Sequence, residues 1–460
     1  MSWKIEKLGN VITQRKEFIT IDNSVEYKRC RVQVNRKGVV LRDIVKGIAI
    51  NTKKQQVCRE GDFLVAEIDA KVGGYGFVPS ELEGAIVSSH YFLFELDETK
   101  LLKDYLAWLI KTDIIQDQIT SKGSTNYAAI RPHHVLNFEI PLPSLGEQAV
   151  IVHRLNIINE EYSLLDKELD QQQTYLQLLR QTILQEAVQG KLTKQDPTEE
   201  PATELLKRIK AEKEKLIKAG KLKKEKELPP ITEDEIPFEL SEGWAWVRGD
   251  DVASFIDPQP SHRTPPVVLN GVPYIGMTEV RDDGTIDFDS ARKVSVEVLK
   301  EHNKRYTLED GDFIIGKIGT IGEPTFLPKP FNYTLSANII LVQPFRNSID
   351  AHFITYYLQS PIAIDLLKSQ STNSTHLVFG IKKSRMLLFP LPPMKVQKVI
   401  VAKVQQLQQQ LSQLEAQVQQ SRQYAQQLLQ SVLREAFEQR GKVYEMEEEQ
   451  VLNMVAEGEV

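Results

Sequence analysis

The sequence contains a long internal repeat, and this repeat limits the folds that the chain can adopt. The stretch EGDFLVAEI at residues 60–68 matches DGDFIIGKI at residues 310–318. The Pro-Leu-Pro of residues 141–143 returns at 390–392, and the pairing then continues without a gap as far as Ala187 and Ala436. Chance similarity does not keep one register over so long a stretch, so the chain is a tandem duplication.

Each half begins with a β-rich part and continues as a helix. Short apolar or alternating runs at 63–68, 85–95 and 334–343 predict strands, since Gly, Pro and Asn separate them. After each Pro-Leu-Pro, apolar residues recur in the 4-3 spacing typical of a coiled coil. They are Ile151, Leu155, Ile158, Tyr162, Leu165, Leu169, Leu176, Leu179 and Ile183, then Ile400, Val404, Leu407, Leu411, Leu414, Val418, Ala425, Leu428 and Val432.

The two apolar stripes match in length and phase, so we expect the two helices to pack on each other. An antiparallel pair is expected, because the repeat then closes on itself like a two-fold dimer. The alternative is that each helix packs on its own domain.

Composition excludes several classes of protein. No run of eighteen apolar residues is present, so no membrane span is expected, and the chain start does not resemble a leader sequence. We therefore expect a cytoplasmic protein. The net charge of −6 argues weakly against a protein that coats nucleic acid, although basic patches can be local. Cys30 and Cys58 lack metal-site spacing and are interpreted as reduced thiols.

The sequence lacks the motifs of the enzymes that act on nucleic acids. There is no phosphate-binding GxxxxGK[ST] loop and no NPPY-like tetrapeptide of a base-flipping methyltransferase. Asp62 and Glu67 faintly resemble a nuclease metal site, but Lys317 stands at the position of Glu67 in the second copy. The Gly-Asp-Phe motifs instead predict turns before buried strands, with Asp62 and Asp312 accepting hydrogen bonds from backbone amides.

Three motifs together resemble the specificity subunits of type I restriction-modification systems. They are PLPSLGEQ at 141–148 with its echo PLPPMKVQ at 390–397, the two Gly-Asp-Phe motifs, and LSEGWAWV at 240–247. The resemblance covers essentially the whole chain. It departs from the family at Lys395 and Lys398, and in the length of the spacer helix at 203–228.

The resemblance implies a non-catalytic DNA-binding subunit. Each mixed domain would read one half of a split site in double-stranded DNA, and the helices would clamp two methyltransferase subunits that restriction subunits join. No cofactor is expected in this chain, whereas S-adenosylmethionine, ATP and Mg²⁺ are expected on the partner subunits. The alternatives are a stand-alone DNA-binding or antirestriction protein of the same architecture, and a coiled-coil protein scaffold.

The expected fold class is α/β (α+β), with two mixed target-recognition domains separated by two long helices that form an antiparallel coiled coil. The expected segments are domain 1 at 1–145, a helix at 146–190, a charged linker with a helix at 191–241, domain 2 at 242–393, a helix at 394–440 and an acidic tail at 441–460. Thr203 is expected to cap the linker helix, and the linker is interpreted either as a DNA-backbone arm or as a solvated connector.

Two loops in each domain are candidates for DNA contact. Residues 121–136 and 371–386 mix Ser, Thr and Asn with basic and aromatic residues and contain no acid, a composition that suits phosphate and base-edge contacts. Glycine-bearing loops at 71–75 and 317–322 would allow a DNA backbone to approach closely. In each case a plain surface loop is the alternative. The candidates are Lys71, Tyr75, Lys122, Ser124, Thr125, Asn126, Tyr127, Arg131, Lys317, Thr320, Asn373, Ser374, Thr375, His376, Lys382, Lys383 and Arg385.

The second long helix carries an unusual number of glutamines outside its apolar stripe. This polar but nearly uncharged surface is interpreted either as a solvated face or as a docking face for helices of a partner. The candidate partner-binding residues are Gln409, Gln413 and Gln420.

Overall fold

The computed structural model describes residues 3–120, 129–193, 198–220, 222, 224–259, 261, 263–317, 324–369 and 380–438. The chain divides into two compact units. The first unit comprises residues 1–170 and 419–460, and the second comprises residues 171–418. None of the described helices is long and apolar enough to span a membrane.

The first unit is built on three small sheets. A four-stranded sheet has the order β2-β10-β7-β8, a five-stranded sheet has the order β3-β6-β9-β4-β5, and β1 pairs with β11. The strands are β1 (Lys4–Lys7), β2 (Ile12–Arg15), β3 (Phe18–Thr20), β4 (Glu26–Gln33), β5 (Gly38–Lys46), β6 (Lys54–Val57), β7 (Phe63–Ala66), β8 (Tyr75–Phe77), β9 (Ile86–Val87), β10 (Tyr91–Leu96) and β11 (Glu139–Leu142). The helices are α1 (Lys103–Leu109), α2 (Asp113–Thr120), α3 (Pro132–Leu136) and the start of α4 (Leu145–Val188).

The second unit repeats the four-stranded sheet and the two-stranded pair. Its four-stranded sheet has the order β13-β19-β16-β17 and β12 pairs with β20. Among the described residues, its third sheet has the three strands β15-β14-β18. Its strands are β12 (Ala245–Arg248), β13 (Ala253–Ile256), β14 (Val272–Ile275), β15 (Lys293–Val294), β16 (Phe313–Gly316), β17 (Thr325–Phe326), β18 (Thr334–Leu335), β19 (Ile339–Pro344) and β20 (Leu388–Leu391). Its helices are α5 (Ala202–Lys218), α6 (Gly249–Val252), α7 (Val296–His302), α8 (Ala351–Leu358), α9 (Pro361–Ser369), α10 (Ile381–Met386) and most of α11 (Met394–Glu438).

A buried glutamine fixes the start of each long helix. The Gln148 amide donates to the carbonyls of Lys100 (2.9 Å) and Pro143 (3.0 Å), and its oxygen accepts from the Leu102 backbone (2.8 Å). Gln397 in α11 makes the equivalent bonds to Ser348, Pro392 and Asp350 in the second unit. A buried amide is stable only when it is hydrogen-bonded, so these contacts explain why glutamine ends both Pro-Leu-Pro motifs.

The long helices run antiparallel in both units. In the first unit, Val152 and Leu155 of α4 share a core with Leu433 and Phe437 of α11, while Asp170 pairs with Arg422 at 2.5 Å. In the second unit, Ile183 and Leu184 pack with Val404 and Leu411, and Arg180 pairs with Glu415 at 3.0 Å. The predicted fold class, with its tandem repeat and antiparallel helix pair, is therefore confirmed.

The linker packs into the core of the second unit, which neither interpretation of the sequence anticipated. Leu205 and Ile209 of α5 are fully buried among core residues that include Val247 and Phe389. The helix begins after Pro201, so the expected cap at Thr203 is wrong; Thr203 is exposed inside the first turn. Pro suits this position because a helix start leaves backbone N–H groups unbonded in any case.

The linker also follows the surface of the second unit beyond α5. We call its residues 198–220 and 224–240 the strap. The strap is attached by a buried guanidinium: Arg248 binds Glu235 at 2.7 and 2.9 Å and donates to the carbonyls of Pro229 and Pro230. Hydrogen bonds from Arg248 lower the pKa of Glu235 to about 2, so this carboxylate is ionised at neutral pH.

Candidate nucleic-acid interface

In both units the aspartate of the Gly-Asp-Phe turn is hydrogen-bonded to residues of the same unit. The Asp62 carboxylate accepts from the Arg59 backbone at 2.7 Å and from the Nε and one terminal nitrogen of Arg15. In the second unit the Asp312 carboxylate accepts from the Glu309 backbone at 2.9 Å and binds Arg346. The predicted role of the two aspartates in accepting backbone hydrogen bonds is confirmed. Among the described residues, no cluster of three His, Cys, Asp or Glu side chains could hold a metal ion.

The glycine loop of the first unit contacts the chain's own β4–β5 turn. The backbone amides of Asn35 and Arg36 donate to the carbonyls of Val72 (2.6 Å) and Gly73 (2.9 Å). A Cβ atom on Gly73 would lie 2.8 Å from the Arg36 nitrogen, closer than such atoms approach. Glycine is needed here for close backbone approach, as the sequence suggested, but the approaching backbone belongs to the chain itself.

Tyr75 lies in the core, so the prediction that it contacts DNA is wrong. Its ring is 1% exposed and packs near Phe63, with 6.4 Å between the ring centroids, and burial raises the pKa of its hydroxyl to about 12. The hydroxyl is 3.1 Å from the Gln116 side-chain oxygen. Lys71 is half-buried, and its carbonyl accepts a hydrogen bond from Gln116. Together these bonds tie the glycine loop to α2.

Two further candidates, Lys317 and Arg385, are engaged inside the second unit. The Lys317 ammonium lies 2.9 Å from Asp257, donates to the Ala337 carbonyl at 2.8 Å and is 12% exposed. Arg385 is equally buried and binds Asp250 (2.7 Å) and Glu225 of the strap (3.2 Å). These contacts hold both cations against partners of the second unit itself. The ion pairs give Lys317 and Arg385 a role in the fold of the second unit, and their contact with DNA stays a prediction.

DNA contact by Lys71 stays a prediction, as it does for three candidates that are exposed or half-buried at the surface. Arg131 precedes α3 with an exposed guanidinium that pairs with Glu67 at 2.5 Å. Lys382 is exposed at the start of α10, and Lys383 beside it is half-buried. The remaining candidates lie outside the described residues. They are Lys122, Ser124, Thr125, Asn126, Tyr127, Thr320, Asn373, Ser374, Thr375 and His376.

The candidates taken from the sequence did not include the β4–β5 hairpin, a strongly basic element of the first unit. Residues 26–46 carry seven cations and two carboxylates, a net charge of +5 in a chain whose total is −6. The cations are Lys28, Arg29, Arg31, Arg36, Lys37, Arg42 and Lys46. A charge count over a window of this length would have found the hairpin, because a local excess of Lys and Arg is the usual mark of a nucleic-acid surface.

The helix surface proposed for partners is exposed. Gln409, Gln413 and Gln420 all lie on the outside of α11, and Gln420 donates to the Tyr424 hydroxyl at 2.7 Å. Within the second unit Leu414 is 45% exposed although it belongs to the apolar stripe. In the first unit Tyr424 and Leu428 of the same helix are also exposed.

A family model for the type I restriction modification DNA specificity domain matches residues 2–172 and 243–421. The two matches divide at the repeat boundary and cover most of the chain. The chain belongs to this family. Each half of the chain therefore corresponds to one DNA specificity domain of this family.

Curated relatives agree with this assignment. The chain is 34% identical to the EcoAI specificity subunit of Escherichia coli over 247 residues, and 30% identical to the EcoEI specificity subunit over 233 residues. These matches cover 50% and 49% of the chain and 39% of each relative. The EcoBI specificity subunit, also from Escherichia coli, is 24% identical over 84% of the chain and 77% of the relative.

Solved structures share the fold of this specificity family. One is a chain from a structure that describes the complex assembly and conformational transition of the type I R-M system. Its TM-score is 0.65 at 21% identity, and the match covers 96% of this chain and 98% of that chain. The HsdS subunit from Thermoanaerobacter tengcongensis has a TM-score of 0.53 at 21% identity, covering 95% and 96%.

Proposed function

We propose that the chain is the DNA-reading subunit of a type I restriction-modification enzyme and recognises a split site in double-stranded DNA. One observation carries the proposal. The two halves share one four-stranded frame and the same start of a long helix, yet present different surfaces. Two domains of one fold with different side chains are suited to read two different half-sites.

We further propose that this subunit performs no catalysis and works in the cytoplasm with two methyltransferase subunits and with restriction subunits. S-adenosylmethionine, ATP and Mg²⁺ would then be bound by those partners. The exposed glutamines of α11, with Leu414 beside Gln413, support a docking surface for partner helices. Uncharged amides and exposed apolar groups can be buried at lower cost than charges.

For DNA contact we propose Arg131 in the first recognition domain, and Lys382 with Lys383 in the second. Lys382 makes no ion pair with any described residue, and α10 precedes β20 at the exit of the domain. The loop residues outside the described ranges stay predictions. Phosphate contacts of this kind position a protein on the duplex, while base contacts set its sequence preference.

A chimera tests the modular reading of DNA. The second recognition domain should be replaced by that of a relative together with its strap, residues 198–393, because α5 belongs to the core of that domain. Methylation profiling of cells that express the chimera and the partner subunits should show one changed half-site and one unchanged half-site. Changes in both half-sites, or a continuous recognition sequence in the parent, would refute the proposal.

The matched control replaces residues 242–393 alone. This exchange leaves the original α5 against a foreign core, so we expect a poorly folded second domain and loss of methylation at the complete site. A folded control with the same new half-site would show that the strap is a connector only. If neither chain directs methylation and neither binds DNA, the alternative of a protein scaffold is favoured.

A further inference from the structure

The β4–β5 hairpin carries a local excess of exposed positive charge. We propose that this hairpin binds the sugar-phosphate backbone of duplex DNA and anchors the first recognition domain, an inference that rests on the proposed function. Arg31, Lys37, Arg42 and Lys46 are exposed, and Lys28 is exposed with its ammonium 3.2 Å from the Glu81 carbonyl.

The carboxylates near the hairpin neutralise only part of its charge. Asp43 binds Arg29 through two bonds of 2.7 Å and lies 3.8 Å from Arg42, and Asp113 binds Arg36 at 2.6 Å. Arg31, Lys37 and Lys46 make no ion pair with any described residue. Several exposed cations on one ribbon therefore keep their charge available for phosphates, which Arg and Lys bind by charge-assisted hydrogen bonds.

The tip of the hairpin is held in place before any ligand arrives. Asn35 and Arg36 adopt the left-handed conformation, with φ of 58° and 59°, and their amides bond to the glycine loop. Arg36 also donates to the Lys111 carbonyl at 2.9 Å. A pre-ordered surface loses less conformational entropy on binding than a mobile loop does, so the fixed tip favours DNA binding.

A bulge sets the position of Arg42. Arg29 pairs with Asp43 and Cys30 pairs with Leu41, so Arg42 is the extra residue of β5 at this irregularity. Bulges of this type turn a side chain away from the regular alternation and increase the local twist of the ribbon.

Protection of a sheet edge is a simpler explanation of these charges, but it accounts for only some of them. β5 is the edge strand, and cations on an edge strand prevent pairing with other chains. This argument covers Arg42 and Lys46. It does not cover Lys28 or Arg31, because β4 is an inner strand between β5 and β9.

The corresponding segment of the second recognition domain has the opposite charge. Residues 272–294, which contain β14 and β15, carry three cations and five carboxylates, a net charge of −2. The basic hairpin is therefore a property of one copy and not of the shared frame. The first recognition domain should supply more of the salt-dependent affinity than the second does.

The test uses the full chain and a random-sequence duplex of about 40 base pairs, with binding followed by fluorescence anisotropy over a range of KCl concentrations. The triple variant R31Q/K37Q/R42Q should bind at least about tenfold more weakly at physiological salt. The slope of log K against log salt should become shallower by about 2–3, since each lost phosphate contact removes about 0.9.

The matched control is R292Q/K293Q/K300Q, which removes three exposed cations from the second domain. We expect the slope of log K against log salt for this variant to change by less than about 0.9, the change for one lost phosphate contact. The charge-conserving variant R31K/R42K should keep the parent slope. If the triple variant loses its fold by circular dichroism, the single variant K37Q at the exposed turn should still lower the slope by about 0.9.

A triple variant with the parent slope, or a control with an equal loss, would overturn the hairpin proposal while the parent still binds duplex DNA. A parent chain that binds no duplex, and enriches none from a random pool, would overturn the proposed function and the hairpin with it.

Discussion

The two recognition domains share a frame but differ in what is attached to it. Both contain a four-stranded sheet of equivalent order and a two-stranded pair, and in both a buried glutamine holds the start of a long helix. The first domain adds a five-stranded sheet with the basic hairpin, whereas the second has a three-stranded sheet and is covered by the strap.

Comparing the two domains shows which contacts support the shared fold and which residues differ between the copies. The Gly-Asp-Phe turns keep the same backbone contact in both copies, but the arginine that neutralises the aspartate comes from a different place. Arg15 ends β2 in the first domain, while Arg346 follows β19 in the second. The requirement to pair a buried carboxylate is common to both copies, and the position of the partner is free to change.

The largest expected effect concerns the strap. L205A/I209A removes two buried side chains of α5 and should destabilise the second domain by about 2–5 kcal/mol for each residue. Hydrogen exchange with peptide resolution should show loss of protection in the second domain and unchanged protection in the first. K207A, on the exposed side of the same helix, is the control. Unchanged protection of the second domain would mean that the strap is not part of its core.

A smaller effect is expected in the helix pair of the first unit. Leu169 is 4% exposed and Leu165 is 41% exposed, although both belong to the predicted stripe. L169A should lower the free energy of unfolding by about 2–5 kcal/mol, and L165A should lower it by much less, because little cavity forms at a half-open site. Denaturant titration of the two variants measures the difference. Equal losses of unfolding free energy in the two variants would indicate that Leu165 and Leu169 are buried to the same extent.

The smallest effect depends on pH and on Asp312. Burial raises the pKa of this carboxyl from 3.8 to about 6. The folded state therefore holds its proton at pH values where the unfolded state has lost it. The resulting stabilisation is complete below pH 4 and is lost as the pH rises through 6. The change amounts to at most about 3 kcal/mol.

The variant D312N should lose this part of the pH dependence, and D310N, at an exposed neighbour, should keep it. Thermal unfolding of the full chain between pH 4 and pH 7 measures both variants. Parallel pH profiles of D312N and the parent chain would show that ionisation of Asp312 is not the cause.

The repeat made much of the fold predictable from the sequence. A shared register over the helices and the Pro-Leu-Pro motifs required two similar halves, and the matching stripes indicated an antiparallel pair. The residues of the candidate nucleic-acid interface were much less predictable. Loops were chosen by composition, and a basic residue in a glycine-rich or acid-free stretch looks the same whether its charge is exposed or buried.

Partners distant in the sequence decided which of these charges is available. Asp257 engages Lys317 across 60 residues, and Asp250 engages Arg385 across 135. The sequence by itself determined the duplication, the paired helices and the family, because these depend on periodicity and register. Only the tertiary structure determined that α5 completes the second core and that the basic hairpin stays accessible. Burial and ion pairing depend on which side chains are in contact in the folded chain, and spacing along the sequence does not specify those contacts.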